Sequence, residues 1–333
     1  MKKVHVGLFC LLALLLIFSF GCQKTETPGE EAKLTKLSVI LDWVPNTNHS
    51  GLYAAKDLGF YEEEGLEVEI LQPTVGGTSS LIAAGQGDIG VSYQEEVVIA
   101  RSQDLPVRSI AAVIQHNTSA FASHRDKNIL SPRDFAGKKY GGWGSPAETQ
   151  MIAALMEKYG ADPATVEEVY IGEADFFTSI ERDIDFAWIY YGWTGIEAEL
   201  RGIPLNIIMV KDEDPALDFY TPVLIAREDT LEEKADLVKR FLRATAKGYE
   251  LAAQEPEKAA EILLDNAPEL DANLVKASQE WLAPRYQDDA PYWGYQDLRI
   301  WEDYSSWMYE RGLLEKDIDA AAAFTNDFLP GVQ

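Results

Sequence analysis

Cysteine is almost missing from this chain. Cys10 and Cys22 are the only two in 333 residues, and Cys10 lies inside an N-terminal apolar segment that reads as a removable signal. A mature chain that keeps Cys22 alone has no internal disulfide and no cysteine-cluster metal site. Histidine is nearly as scarce. His5, His49, His116 and His124 include no pair one helical turn apart and no cysteine partner, so no metal site is expected. Nucleophile-elbow, phosphate-loop and zinc-protease signatures are missing too. Gly141-Gly142-Trp143-Gly144 is too short and too aromatic for a dinucleotide loop, and no cofactor is expected. Positive charge is also in short supply, with 29 Lys and Arg against 55 Asp and Glu and a net charge of −26. Such a surface repels nucleic acid and anionic headgroups and gives no reason to expect a highly anionic ligand.

Apolar runs end early. Lys2 and Lys3 precede a greasy stretch from Val6 to Phe20, then Gly21 and Cys22. A basic start, a short apolar core and a small residue before the cut describe a secretory signal peptide. The stretch is shorter than the ~20 apolar residues of a comfortable membrane span. A cysteine directly after the cut resembles the acylated residue of bacterial lipoproteins, although Ser19 and Phe20 replace the usual Leu and small residue. Losing residues 1–21 removes Lys2 and Lys3 and no acid, which moves the net charge from −26 to −28. The expected organisation is a signal peptide over 1–21 and a polar, lipid-anchored tether over 22–35. Three hundred residues exceed what one core usually serves. Two lobes are therefore expected, one discontinuous (36–119 plus 223–330) and one inserted (120–222).

Strand and helix patterns alternate through most of the remainder. Leu37–Leu41, Leu66–Leu71, Asp88–Ser92 and Val107–Ile114 read as strands, with helices over Gly51–Leu58, from a Thr78 or Ser79 cap to Ala84, and over Glu95–Ser102. This β-α-β series predicts a parallel sheet under helices. A second sheet is expected from Ala120–Ser123, Lys139–Gly142, Glu168–Ile171, Phe186–Tyr190 and Leu205–Met209, and Val223–Ala226 is one more strand. After Asp229, Leu231, Ala235, Val238, Leu242, Ala246 and Tyr249 share a helical face, and helix follows helix to the end. The fold class is α/β, with two hinged lobes and a helical C-terminal region.

In open α/β sheets, ligands collect beyond the carboxyl ends of the strands. Four such ends carry large aromatics beside polar groups: Asp42-Trp43-Val44-Pro45-Asn46, Ser92-Tyr93-Gln94-Glu95, Gly142-Trp143-Gly144-Ser145 and Tyr190-Tyr191-Gly192-Trp193. Facing lobes would make an aromatic sandwich for a flat, roughly neutral heteroaromatic ring. Ser145-Pro146-Ala147-Glu148 reads as a capping box whose free N–H groups either just start a helix or also hold a ligand atom. Glu95-Glu96 opens a helix, where acids suit the dipole.

The run Leu41-Asp42-Trp43-Val44-Pro45-Asn46-Thr47-Asn48-His49-Ser50-Gly51-Leu52-Tyr53-Ala54-Ala55-Lys56, with Gly59-Phe60-Tyr61-Glu62-Glu63-Glu64-Gly65-Leu66 after it, resembles a known family. It is similar to the substrate-binding lipoproteins of ABC importers related to the thiamin-pyrimidine (NMT1/THI5-like) synthases. Gly85-Gln86-Gly87-Asp88-Ile89-Gly90-Val91 and Ser131-Pro132-Arg133-Asp134-Phe135-Ala136-Gly137-Lys138-Lys139 fit it less specifically. The resemblance implies a type II periplasmic-binding-protein-like fold that binds a pyrimidine precursor of thiamin and passes it to a permease and its ATPase. The protein would be a monomer held outside the cytoplasm on the cell membrane through Cys22. The implied ligand contacts are Asp42, Trp43, Asn46, Ser92, Tyr93, Gln94, Trp143, Ser145, Tyr190, Tyr191 and Trp193. Asp42 would accept from an exocyclic amine, Tyr190 or Tyr191 with Trp193 would form one wall, and Trp43 or Trp143 the other. A riboflavin or other heteroaromatic receptor is the neighbouring alternative. The synthase branch has a cofactor lysine where this chain has Ser92, a histidine where it has Glu96, and a cysteine-rich run where it reads Asp218-Phe219-Tyr220-Thr221-Pro222. No amine at that position can form a Schiff base, so an enzyme is disfavoured.

Overall fold

A computed structural model describes residues 33–73, 77–172 and 174–331. Cys22 and the expected signal lie outside the described residues. Among the described residues, ten strands form two five-stranded sheets. In the first, β1 (Thr35–Ile40), β2 (Leu66–Leu71), β3 (Ile89–Ser92), β4 (Val107–Ala112) and β10 (Val223–Arg227) run in the order β2-β1-β3-β10-β4. In the second, β5 (Ser119–His124), β6 (Lys139–Gly142), β7 (Glu167–Tyr170), β8 (Phe186–Tyr190) and β9 (Leu205–Met209) run in the order β7-β6-β8-β5-β9.

Neither sheet is purely parallel, which corrects the sequence expectation. β10 lies antiparallel between β3 and β4, and β5 lies antiparallel between β8 and β9. Both strands follow a crossing between the sheets, and β10 returns to a sheet built from the first segment. The partners of β5 lie 63 to 89 residues away and those of β10 111 to 137, separations that local periodicity does not carry. The crossing backbones run side by side: Val113 N–H donates to the Pro222 carbonyl at 3.0 Å, and the Asn117 amide nitrogen donates to the Leu217 carbonyl at 2.8 Å.

Burial explains the strand sequences. β2 keeps Leu66 and Val68 buried and Glu67 and Glu69 exposed, as an edge strand with one wet face should. β3 is buried throughout, and a Cβ at Gly90 would sit 2.7 Å from Ile82 and Thr78 side-chain atoms. The helix Thr78–Ala83 therefore lies directly on the strand. Its cap is Gly77, and Thr78 is its first helical residue; the Thr78 hydroxyl instead donates to the Leu41 carbonyl at 2.7 Å.

The apolar face expected after Asp229 is split between two helices, Glu228–Glu233 and Ala235–Gln254, with a break at Lys234. The longer one crosses the helix Ser50–Asp57 so tightly that a Cβ on Gly248 would overlap the Gly51 carbonyl oxygen. Next to this crossing Tyr249 stacks on Trp293 with centroids 4.5 Å apart. Its hydroxyl donates to the Asn48 carbonyl at 2.8 Å, and the Tyr286 hydroxyl donates to the Thr47 carbonyl at 2.7 Å. Core packing thus fixes the turn that follows the first strand. Among the described residues no helix is long and apolar enough to cross a membrane.

Candidate functional site

The turn after β1 builds the first side of the site. Asn46 caps a short 3-10 helix, its side chain accepting from Asn48 N–H at 2.9 Å, while its own N–H donates to His49 Nδ1 at 3.2 Å. An accepting Nδ1 puts the imidazole proton on Nε2, which donates to Asp42 Oδ1 at 2.6 Å. The Tyr93 hydroxyl donates to the other oxygen, Oδ2, at 2.6 Å. Burial would raise the Asp42 carboxyl, but His49 and Tyr93 outweigh it and hold it below the usual carboxylate range. The same enclosure, with the Asp42 charge adjacent, pushes the Tyr93 phenol well above its ordinary value. Tyr93 therefore stays a donor, and its ring orientation is fixed by a buried anion.

Across the gap, Tyr190 ends β8 of the other sheet. Its ring stacks on Tyr93 with centroids 6.2 Å apart and planes 13° from parallel. The Thr221 hydroxyl, in the second crossing, lies against the Tyr190 phenol, yet it is buried without a partner of full hydrogen-bond geometry. Below Tyr93, Ser92 Oγ donates to Glu96 at 2.7 Å and lies 2.7 Å from Ser79 Oγ. Positions 92 and 96, where the resemblance implies a lysine and a histidine in the synthase branch, are thus neighbours, filled here by a buried hydroxyl and a carboxylate.

Glu95 points the other way. Its one hydrogen bond among the described residues, from the Tyr304 hydroxyl, is long at 3.4 Å. Burial, reinforced by the charges of Glu96 and Glu148, pushes its carboxyl up to about 7. Glu148 comes from the opposite sheet, at the start of the helix Pro146–Lys158. It accepts from Tyr140 OH at 2.5 Å, Ser145 N–H at 2.9 Å and Trp143 N–H at 3.3 Å. The N–H groups of Trp143 and Ser145 are consumed within this capping box, which leaves Ser145 with a structural task.

The remaining expected contacts separate. Gln94 is fully buried and spent on the second crossing: Tyr220 N–H donates to its Oε1 at 2.8 Å, and its Nε2 donates to the Ile300 carbonyl at 3.2 Å. Trp43 and Trp143 are 48% and 46% exposed. Trp143 belongs to the same sheet as Tyr190 and packs on Trp188 at 5.8 Å, so it does not oppose Tyr190. Tyr191 turns to the far face of β8 and meets Trp281 at 5.3 Å. It lines a separate cavity of about 660 Å³ with His116, Asn117 and Arg285. Trp193 packs with Tyr53, Leu263 and Val275. The site keeps Asp42, Ser92, Tyr93 and Tyr190 together. It adds His49, Glu95, Glu96, Glu148, Thr221 and Tyr304, of which Tyr304 gave no sequence signal at all.

The crossings carry one further charged contact. Asp218 accepts from Asn117 N–H at 2.9 Å and pairs with His116 Nδ1 at 2.7 Å. His116 Nε2 lies 3.3 Å from Asp289. The bond to Asp218, opposed in part by burial and aided by Asp289 and Asp288, pushes the imidazole up to about 9. A cation favoured by folding stabilises fully below about pH 6.5 and loses that contribution as pH rises through about 9. With side chains near 30% exposed, screening leaves about 1 kcal/mol. Thermal unfolding should show the native chain losing stability between those pH values and His116→Gln losing less; equal slopes would contradict the pairing.

Residues 46–259 match the family model described as NMT1/THI5 like. The chain belongs to that family. It is 30% identical to the formylaminopyrimidine-binding protein of Halalkalibacterium halodurans over 332 residues, 95% of this chain and 97% of the relative. It is 24% identical to the riboflavin-binding protein RibY of Chloroflexus aurantiacus, covering 99% of each. Among solved structures, the periplasmic aliphatic sulphonate binding protein SsuA from Escherichia coli gives a TM-score of 0.67 at 14% identity, covering 86% of this chain and 96% of that one. That likeness gives the fold: this NMT1/THI5-like chain has the two-sheet α/β architecture of periplasmic binding proteins.

Proposed function

We propose that the chain is the extracytoplasmic substrate-binding component of an ABC importer, anchored through Cys22, and that it binds a formylaminopyrimidine-like precursor of thiamin for salvage. The lobes would be 36–119 with 223–330 and 120–222, hinged where the crossings run side by side. The observation that carries the reading is the Tyr93–Tyr190 pair, two near-parallel rings from the carboxyl ends of strands in different sheets. Two van der Waals gaps of about 3.5 Å each are needed to hold a planar ring between two others. The two centroids are now 6.2 Å apart, and a ligand ring fits between the phenols when they face each other at about 7 Å. A ligand touching both rings stabilises the closed arrangement by contacts the open one lacks, and closure is what the permease would recognise.

No bond-making is part of this reading. Ser92 and Glu96 supply neither the amine nor the base of the synthase branch, and their hydrogen bond occupies both. Riboflavin, with three fused rings, is longer than the single phenol ring that each wall offers and would be stacked over only part of its length. Calorimetry of the soluble domain with formylaminopyrimidine, hydroxymethylpyrimidine, thiamin and riboflavin tests the assignment. A pyrimidine is expected to bind with Kd near or below about 10 μM, roughly −7 kcal/mol, and riboflavin at least about tenfold more weakly. Millimolar binding of every pyrimidine would remove the ligand assignment.

A further inference from the structure

Glu95 is the titratable group that the fold leaves without a task. Asp42 holds His49 and Tyr93, Glu96 holds Ser79 and Ser92, and Glu148 closes a capping box. Among the described residues, Glu95 has only the long bond from Tyr304. The groups that face it are Glu96 on its own helix, Glu148 from the other sheet, Tyr304 from the helix Leu298–Glu310 and Tyr190 from β8. None is a cation. The orphaned hydroxyl of Thr221 lies at the same tyrosine, so a half-buried carboxyl and a buried hydroxyl are poorly matched among the described residues. Buried polar groups of this kind are costly unless something else completes their hydrogen bonds.

We propose that Glu95 reads the edge of the bound ring, its carboxylic O–H donating to a ring nitrogen while its carbonyl oxygen accepts from the adjacent exocyclic amino group. This rests on the receptor reading above and adds to it the residue that reads the ring edge and the proton that the complex carries. A 4-oxo ring in its N3–H form fits the neutral acid as well, its carbonyl accepting the O–H and its N3–H donating to the other carboxyl oxygen. The complex needs one proton between carboxyl and ring. Below neutral pH the free protein already carries it on Glu95, pushed up to about 7. Above that, the proton must come from solvent, so affinity should fall up to about tenfold per pH unit. The substitution Glu95→Gln puts a carboxamide there, which offers the same donor and acceptor without any proton to lose.

The test is calorimetry of the intact soluble domain with 4-amino-2-methylpyrimidine, between about pH 6.5 and 8.5, in two buffers of different ionisation enthalpy. The native protein should lose about tenfold in affinity for the amine across that range and take up close to one proton at the upper end. Glu95→Gln should hold its affinity within about threefold throughout, and Glu95→Ala should be about tenfold weaker at the lower end. Normal amine binding with a flat pH profile and no proton uptake overturns the Glu95 proposal while the receptor reading stands. No amine binding at any pH overturns both.

Discussion

Tyr190→Ala should weaken pyrimidine binding about 100-fold, close to 2.7 kcal/mol. The loss has two parts. The ring is one of two walls, so its removal exposes a full face of the ligand to water, about 1.5 kcal/mol for the area involved. Aromatic stacking adds about 0.5–1.5 kcal/mol beyond area. Tyr190→Phe keeps the ring and should stay within about threefold of the native Kd. Calorimetry on the two variants, with melting curves to show that both fold, checks the expectation. An alanine variant that binds as tightly as the native protein would move the ligand elsewhere.

The second large effect is on stability. At Gly248 a methyl group would meet the backbone carbonyl of Gly51, and carbonyl oxygens in a helix cannot swing aside as a side chain can. The two helices must separate or bend, and Gly248→Ala should cost about 3 kcal/mol, the upper end for overpacking. Because the same crossing seats Tyr249, whose hydroxyl holds the Asn48 carbonyl, the disturbance should reach the turn that positions His49 and Asp42. A fall of about 5 to 10 °C in Tm is expected, with weaker ligand binding in the folded fraction. An unchanged melt would mean that the helices are not as closely packed as their glycines imply.

These two variants mark where the sequence was readable and where it was not. Strands β2, β6, β8 and β9 fall on the residues that alternation and apolar runs pick out, because their patterns are local. The places of β5 and β10 in their sheets are not local, since each is set by a chain crossing and by partners far away in sequence. The resemblance offers Tyr190 or Tyr191 for one wall, and neighbours at a strand end point to opposite faces. That alternation was legible and separates the cleft from the cavity beside Trp281. Gln94 is a ligand contact that the resemblance implies at the end of β3; the second crossing claims it, which no spacing reveals. Glu95 and Glu96 read as a helix start, and they are one. What tells them apart is tertiary: serines satisfy Glu96, whereas Glu95 faces a tyrosine and a third acid.

A crystal structure with a 4-aminopyrimidine bound addresses the whole account at once. The ring should lie between Tyr93 and Tyr190, the two phenols near parallel and about 7 Å apart, with its amino edge toward Glu95. A ring lodged against Tyr191, Trp281 and Arg285, with the tyrosine pair still closed at 6.2 Å, would contradict it.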